Sequence, residues 1–158
     1  MSDADPVFVA EETTLPLPYE QARARLLDYV RVDGLQSSSE DAFEQGRELL
    51  VRAGVGAVSK QVLVQLLKPY EYETVTVVPM RWVATGAAGT MFPQLDGNLE
   101  LAPAEAEQST LRLAGAYRVP LAAVGATLDR VLLHRVAGAS VGRFLEDVAA
   151  DLEAGSSE

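Results

Sequence analysis

The chain opens on alternation. "PVFVAEETTLPL" switches between apolar and polar residues and predicts a strand over about Val7 to Leu15. The period then changes. In "LPYEQARARLLDYVRV", Tyr19, Ala22, Leu26 and then Tyr29 or Val30 recur at helical spacing. Pro18 suits the first turn, where a missing N–H would have no partner anyway, and Asp33-Gly34 ends the helix. "LQSSSEDAFEQG" begins with serines that can cap a helix and continues with acids that suit its dipole, so a short helix is expected from about Ser39 to Gln45. "RELLVRAG" then reads as extended, although Ala42, Phe43, Leu49 and Leu50 also fit one longer helix.

Strand patterns follow. Val58, Val62, Val64 and Leu66 alternate in "VSKQVLVQLL", and "EYETVTVVPMRWVAT" is rich in β-branched and aromatic residues. Pro79 has no N–H for a ladder, so it implies a bulge or an edge. "MFPQLDGNLELAP" sets Leu95, Leu99 and Leu101 against Asp96, Asn98 and Glu100. "TLRLAGAYRVP" sets Leu111, Leu113, Gly115 and Tyr117 inward and Arg112 and Arg118 outward. Such alternation marks an antiparallel sheet with one wet face. Short connections such as "GVG", "KPY", "TGAAG" and "APAEAEQ" suit hairpins.

A last helix is expected from about Leu121 to Glu153. One stripe, Val124, Thr127, Val131, His134, Gly138, Val141, Leu145, Val148 and Leu152, runs its length in steps of three and four. A second stripe, Leu121, Leu128, Leu132 and Val136, exists only in the first half. The first stripe is expected to face the sheet. His134 would then sit inward, where apolar packing gives way to small and polar residues. Gly138 and Gly142, one turn apart, would let the backbone approach the sheet or let the helix bend.

The order strand, two helices, antiparallel strands, long C-terminal helix resembles that of the START-like, Bet v 1-like superfamily. This group is also called SRPBCC and includes polyketide cyclase/dehydrase-like proteins. The stretches that carry the resemblance are "MRWVATGAAGTMFPQLDGNLELAP" and "LRLAGAYRVPLAAVGATLDRVLLHRVA". The resemblance implies an α+β helix-grip fold: a curved antiparallel β-sheet of about six to seven strands wrapped around the long C-terminal helix, with two short N-terminal helices. It also implies an apolar cavity between sheet and helix. Members bind lipids, sterols, polyketides or other hydrophobic molecules, and some catalyse cyclisation, dehydration or hydrolysis.

At 158 residues the chain suits one domain, 1–158, with 1–6 and 154–158 as frayed tails. Its net charge of -10, with no basic cluster, would repel a phosphate backbone, so no nucleic-acid partner is expected. The acidic "MSDADPVFVA" lacks the apolar run of a signal peptide, and no stretch approaches the roughly 20 apolar residues of a membrane helix. A cytoplasmic protein without membrane insertion is expected. The chain has no cysteine, which excludes disulfides and thiol catalysis.

Few motifs bear on chemistry. "GASVG", Gly138 to Gly142, matches G-x-S-x-G, but that motif needs a strand-to-helix turn to expose its serine, and here it falls inside a helix. "GVGAVSK" lacks the third glycine and the following helix N-terminus of a dinucleotide loop. With one histidine and no cysteine, neither a metal site nor a cofactor is expected. Asp96 and Glu100 fall on the wet face and are not read as general acid and base.

A binding module for a hydrophobic or amphipathic small molecule remains the first reading. His134 and Tyr117 would be its polar anchors, and Trp82, Met80, Val131, Thr127 and Leu113 its lining. A cyclase/dehydrase-type enzyme in which His134 and Tyr117 move protons is the alternative. A third reading turns the second stripe outward as a partner or homodimer surface.

Overall fold

Period-two alternation becomes a sheet. The computed structural model describes residues 6–52, 62–84, 94–118 and 130–155, and among these six strands form one antiparallel sheet. They are β1 (Val7–Leu15), β2 (Val62–Leu66), β3 (Tyr70–Tyr72), β4 (Val75–Ala84), β5 (Gln94–Pro103) and β6 (Ser109–Arg118). The order is β1-β6-β5-β4-β2, with β3 also paired to β4. Among the described residues the helices are α1 (Tyr19–Arg31), α2 (Gly34–Arg52) and α3 (Arg130–Ala154). A long helix gripped by an antiparallel sheet, with a helix pair between the first two strands, is the helix-grip fold. None of the described helices is long and apolar enough to cross a membrane.

The inner face of the sheet is built in rows. Trp82, Leu95, Tyr117 and Val7 pair across four strands. Met80, Gly97, Gly115 and Val9 form the next row, then Val78, Leu99, Leu113 and Glu11, then Thr76, Leu101, Leu111 and Thr13. Gly97 and Gly115 face each other directly. A Cβ on Gly97 would lie 2.6 Å from the Ala114 carbonyl, and one on Gly115 would strike the Asp96 carbonyl. Only a residue without a side chain fits this approach, and that is where the sheet can bend around α3. The outer face is wet, as expected: cross-strand pairs Arg81–Asp96 and Arg112–Glu100 lie there.

Pro79 has the consequence its chemistry requires. Its carbonyl accepts a hydrogen bond from Leu67 N at 3.1 Å. Its nitrogen has no hydrogen to return toward the same neighbour. Opposite it the ladder slips: Leu66 pairs with Met80 but Tyr70 with Val77, so residues 67–69 face only 78 and 79. This bulge separates β2 from β3. The stretch from Glu71 to Thr85, expected as one strand, instead turns after β3, with Glu73 at φ 56, and returns as β4. "KPY" is accordingly the bulge and not a hairpin.

Helix α2 is longer than the short helix expected. Residues 34–52 form a single helix, so the second of the two sequence alternatives holds and "RELLVR" is not extended. Leu35, Ser39, Ala42, Phe43, Gly46 and Leu50 recur on one buried side of α2. Ser38 and Ser39 are therefore interior residues and not caps. Asp33, at φ 64, makes the left-handed step between α1 and α2, a conformation that Asp tolerates better than most residues. On β2 the edge is covered by a side chain: Gln36 donates to Val62 O and accepts from Val64 N, both at 2.9 Å. A carboxamide thus takes the place of the next strand.

Helix α3 is enclosed from two sides, by α2 and by the sheet, chiefly β1. Leu133, Val136, Ala137, Ser140, Val141, Phe144, Leu145, Val148 and Leu152 are buried. This corrects the first-stripe expectation. Val131 is 69% exposed, and His134 is also exposed. Between 141 and 152 the expected residues do face inward. Toward the N-terminus the inward row steps back by four, through Ala137 and Leu133, and not through Gly138 and His134. Val136, assigned to the second stripe, is fully buried, and Leu132 packs partly against the core. Leu121, Val124, Thr127 and Leu128 lie outside the described residues.

Candidate functional site

One end of the sheet carries the terminal pairs Val62–Ala84 and Gln94–Arg118. The first complete inner row at that end is Trp82, Leu95, Tyr117 and Val7. Two of its four side chains carry a polar atom. Alternation places Trp82 and Tyr117 on the inner face, and the sheet keeps them there, at 0% and 1% exposure.

Each polar atom meets a residue of a helix. Trp82 Nε1 donates to Ser39 Oγ of α2 at 2.8 Å, and the Trp82 ring meets Phe144 of α3 edge-on, 6.2 Å between centroids. Tyr117 points its hydroxyl beneath Gly46 of α2, beside Ser140 of α3. A Cβ on Gly46 would lie 3.3 Å from Tyr117 Oη and would strike Ser140 Oγ. Gly46 is thus what lets α2 come down over these two hydroxyls. Ser140 is fully buried; its Oγ lies beside the Tyr117 hydroxyl and acts on it, but completes no well-formed hydrogen bond among the described residues. Most buried hydroxyls are paired, so this one marks the place as unusual.

The electrostatics limit the chemistry. Burial pushes the Tyr117 phenol well above its ordinary value, and the neighbouring Ser140 hydroxyl offsets only part of that. Tyr117 is therefore a neutral donor and acceptor near neutral pH and not a phenolate base. His134 lies on the outer side of α3, so the His134–Tyr117 pair required for proton transfer is not assembled. Ser140 sits mid-helix in α3, without the strand-to-helix turn that the G-x-S-x-G elbow requires. Among the described residues no group of three His, Cys, Asp or Glu side chains is placed to hold a metal ion.

Of the residues expected to line a ligand, Trp82, Met80, Tyr117 and Leu113 share the inner face of the sheet and are buried. Val131 and His134 do not join them, and Thr127 lies outside the described residues. Ser39 and Ser140 were not among the expected lining. Ser140 could have been found by the helical step from Val136 to Phe144. No local signal marks Ser39, whose partner is 43 residues away. Outside the interior, two shallow depressions of about 430 and 530 Å³ meet on the outer face of the sheet over Asp96, Gly97 and Asn98.

No protein-family model and no curated protein matches this chain. Among solved structures it is similar to the Zhui aromatase/cyclase from Streptomyces sp. R1128, with TM-score 0.44, 15% identity and 94% of each chain covered. It is also similar to Ara h 8.0201, with TM-score 0.39, 13% identity, and 95% of this chain and 99% of that one covered. TTHA0849 from Thermus thermophilus is a third, with TM-score 0.37, 15% identity and coverage of 91% and 98%. No residue role carries over at such identities. The helix-grip assignment rests on the chain's own strand order and the seating of α3, the architecture of Bet v 1-like proteins.

Proposed function

We propose that the protein binds a hydrophobic or amphipathic small molecule between the sheet and α3, at the end of the interior where Trp82 and Tyr117 lie. The observation that carries this reading is the Ser140 hydroxyl, buried beside Tyr117 Oη without a well-formed hydrogen bond. A buried polar group left unpaired costs about 1–3 kcal/mol. A carbonyl or hydroxyl oxygen of a ligand would offset that cost, with Tyr117 as a second neutral partner. The apolar body of such a ligand would lie against Leu95, Met80, Leu113, Val136 and Phe144. Few polar groups are needed to orient a ligand in a mostly apolar site.

Trp82 is the only tryptophan of the chain and lies in the same row as Tyr117, so its fluorescence reports directly on occupancy. Native mass spectrometry of the purified protein should show a small-molecule adduct that is lost on denaturation. Titration with a medium-chain fatty acid or 1-anilinonaphthalene-8-sulfonate should change Trp82 emission saturably. Ser140→Ala should weaken an oxygen-bearing ligand by roughly 2- to 10-fold, the worth of one hydrogen bond. No adduct and no saturable change with either probe would overturn the proposal.

A further inference from the structure

Among the described residues, every buried polar side chain is uncharged. They are Ser38, Ser39, Thr76, Ser109 and Ser140, with the Trp82 indole and the Tyr117 phenol. Four of the five hydroxyls are engaged. Ser38 lies 2.6 Å from Tyr29 Oη, Ser39 accepts from Trp82, Thr76 lies 2.6 Å from Tyr19 Oη, and Ser109 donates to Leu17 O. What faces a ligand at the candidate site is therefore Ser140 and Tyr117, two neutral groups.

Charge stays at the margin of that site on each element around it. On α3, Asp147 lies two turns beyond Ser140 and accepts from Arg143, while His134 and Arg135 are exposed. On α2, Glu44 and Arg47 flank Gly46 and pair with each other at 3.0 Å, and Asp41 and Glu48 are exposed. On the sheet, Arg81, Asp96 and Arg118 alternate outward from Trp82, Leu95 and Tyr117, and Glu11 of β1 is exposed. Ser140 and Gly46 both lie inside their helices, so neither offers the free N–H groups of a helix start. The connections 53–61, 85–93 and 119–129 contain one base, Lys60, and one acid, Asp129.

On the reading that the interior binds a small molecule, we propose that its ligand is an uncharged, oxygen-bearing amphiphile (a ketone, ester or alcohol), and that a carboxylic acid enters only in its protonated form. An ionised carboxylate in an apolar interior needs a cation beside it; without one it takes up a proton or stays in water. Two hydroxyls satisfy the lone pairs of a neutral oxygen but supply no counter-charge. Burial keeps the Tyr117 phenol neutral, and the net charge of -10 further opposes the entry of an anion.

Trp82 emission distinguishes these head groups when 1-octanol, 2-octanone and octanoate are titrated at about pH 5.5 and about pH 7.5. An aliphatic acid titrates at about 4–5, close to a Glu side chain, so its neutral fraction falls about 80- to 100-fold between those pH values. The apparent affinity for octanoate should fall by the same factor. That for 1-octanol and 2-octanone should change by less than about twofold, which separates the titration of the ligand from that of Asp147, His134 or any other protein group. At the higher pH both neutral probes should bind at least about 30-fold more tightly than octanoate. Octanoate that matches 1-octanol at the higher pH, or binds equally at both, would overturn the ligand class and leave the binding site standing, with a cation such as Lys60 at the head group. No saturable change with any of these probes would also overturn the class, and the further absence of an adduct in native mass spectrometry would remove the binding site itself.

Discussion

The two ends of the interior treat their hydroxyl groups differently. At the end formed by the β5–β6 turn and the start of α1, the hydroxyls close on the protein itself. Ser109 Oγ donates to Leu17 O at 2.7 Å, and Tyr19 Oη lies 2.6 Å from Thr76 Oγ1. At the other end Trp82 is paired with Ser39, but the equally buried Ser140 Oγ completes no well-formed hydrogen bond. The chain can close a buried serine on a carbonyl, as Ser109 does. Ser140 lies where the space is shared by Tyr117 and by a glycine of α2. One end is built as core and the other retains an oxygen-seeking group, which is why the candidate site is placed there.

The bend that both ends share should be the most sensitive position. Gly115→Ala drives a Cβ into the Asp96 carbonyl and toward the Gly97 Cα, and backbone on a paired strand cannot move aside as a side chain can. A loss of about 3 kcal/mol is expected in urea unfolding, the upper part of the usual range for overpacking. A loss below about 1 kcal/mol would mean that the curvature does not depend on this pair.

Gly46→Ala sharpens the comparison at the candidate site. The added methyl strikes Ser140 Oγ, the end of a short side chain, so a loss of about 2 kcal/mol is expected. Ser140→Ala removes that oxygen. In the double variant the two effects should fail to add by about 1 kcal/mol, in the direction of rescue. Additive effects would show that Gly46 is not seated on Ser140.

The same substitution made at both ends tests the contrast directly. Ser109→Ala leaves the buried Leu17 carbonyl unpaired and should cost about 1–2 kcal/mol. In protein stripped of ligand, Ser140→Ala removes a hydroxyl without a well-formed hydrogen bond and should be neutral or stabilising by up to about 1 kcal/mol. Equal losses in thermal unfolding would erase the distinction between the ends.

Much of the sheet was legible from period two. The inward positions of Trp82, Met80, Leu113 and Tyr117 follow from it, and of the two alternatives that Pro79 implied, a bulge or an edge, a bulge appears opposite it. The face of α3 was not legible. A helix packed between α2 and the sheet buries a wide arc, and its first half is apolar on two sides, so 3.6-residue periodicity admits two phases. The residues at stake, Leu133 and His134, are neighbours, and one step of 100° separates inside from outside. Expecting the stripe to continue straight through Gly138 put His134 and Val131 inward. Ser38 and Ser39 misled for a different reason. Serine is a good cap when its oxygen reaches a nearby amide, and only the arrival of Trp82 from β4 reveals that Ser39 has another partner. The depth of Tyr117 could be read from alternation, but the incomplete bonding at Ser140 is a property of three elements together.

The smallest expected effect concerns the other glycines. Gly138 and Gly142 on α3 suggest close packing by sequence, as Gly97 and Gly115 do on the sheet. Space tells them apart. A Cβ on Gly138 would have Glu11 Oε2 at 3.7 Å, an ordinary contact, and one on Gly142 would meet nothing within 4 Å. Neither glycine is needed for the approach of α3 to β1, and glycine inside a helix is worse than alanine by about 0.5–1 kcal/mol. Gly142→Ala should therefore stabilise the protein by about that amount and raise the thermal midpoint by a few degrees. Binding of the probes at Tyr117 and Ser140 should be unchanged, since position 142 does not face them. If Gly142→Ala destabilises, α3 sits closer to its neighbours in solution than its backbone indicates, and the glycines of helix and sheet serve the same purpose after all.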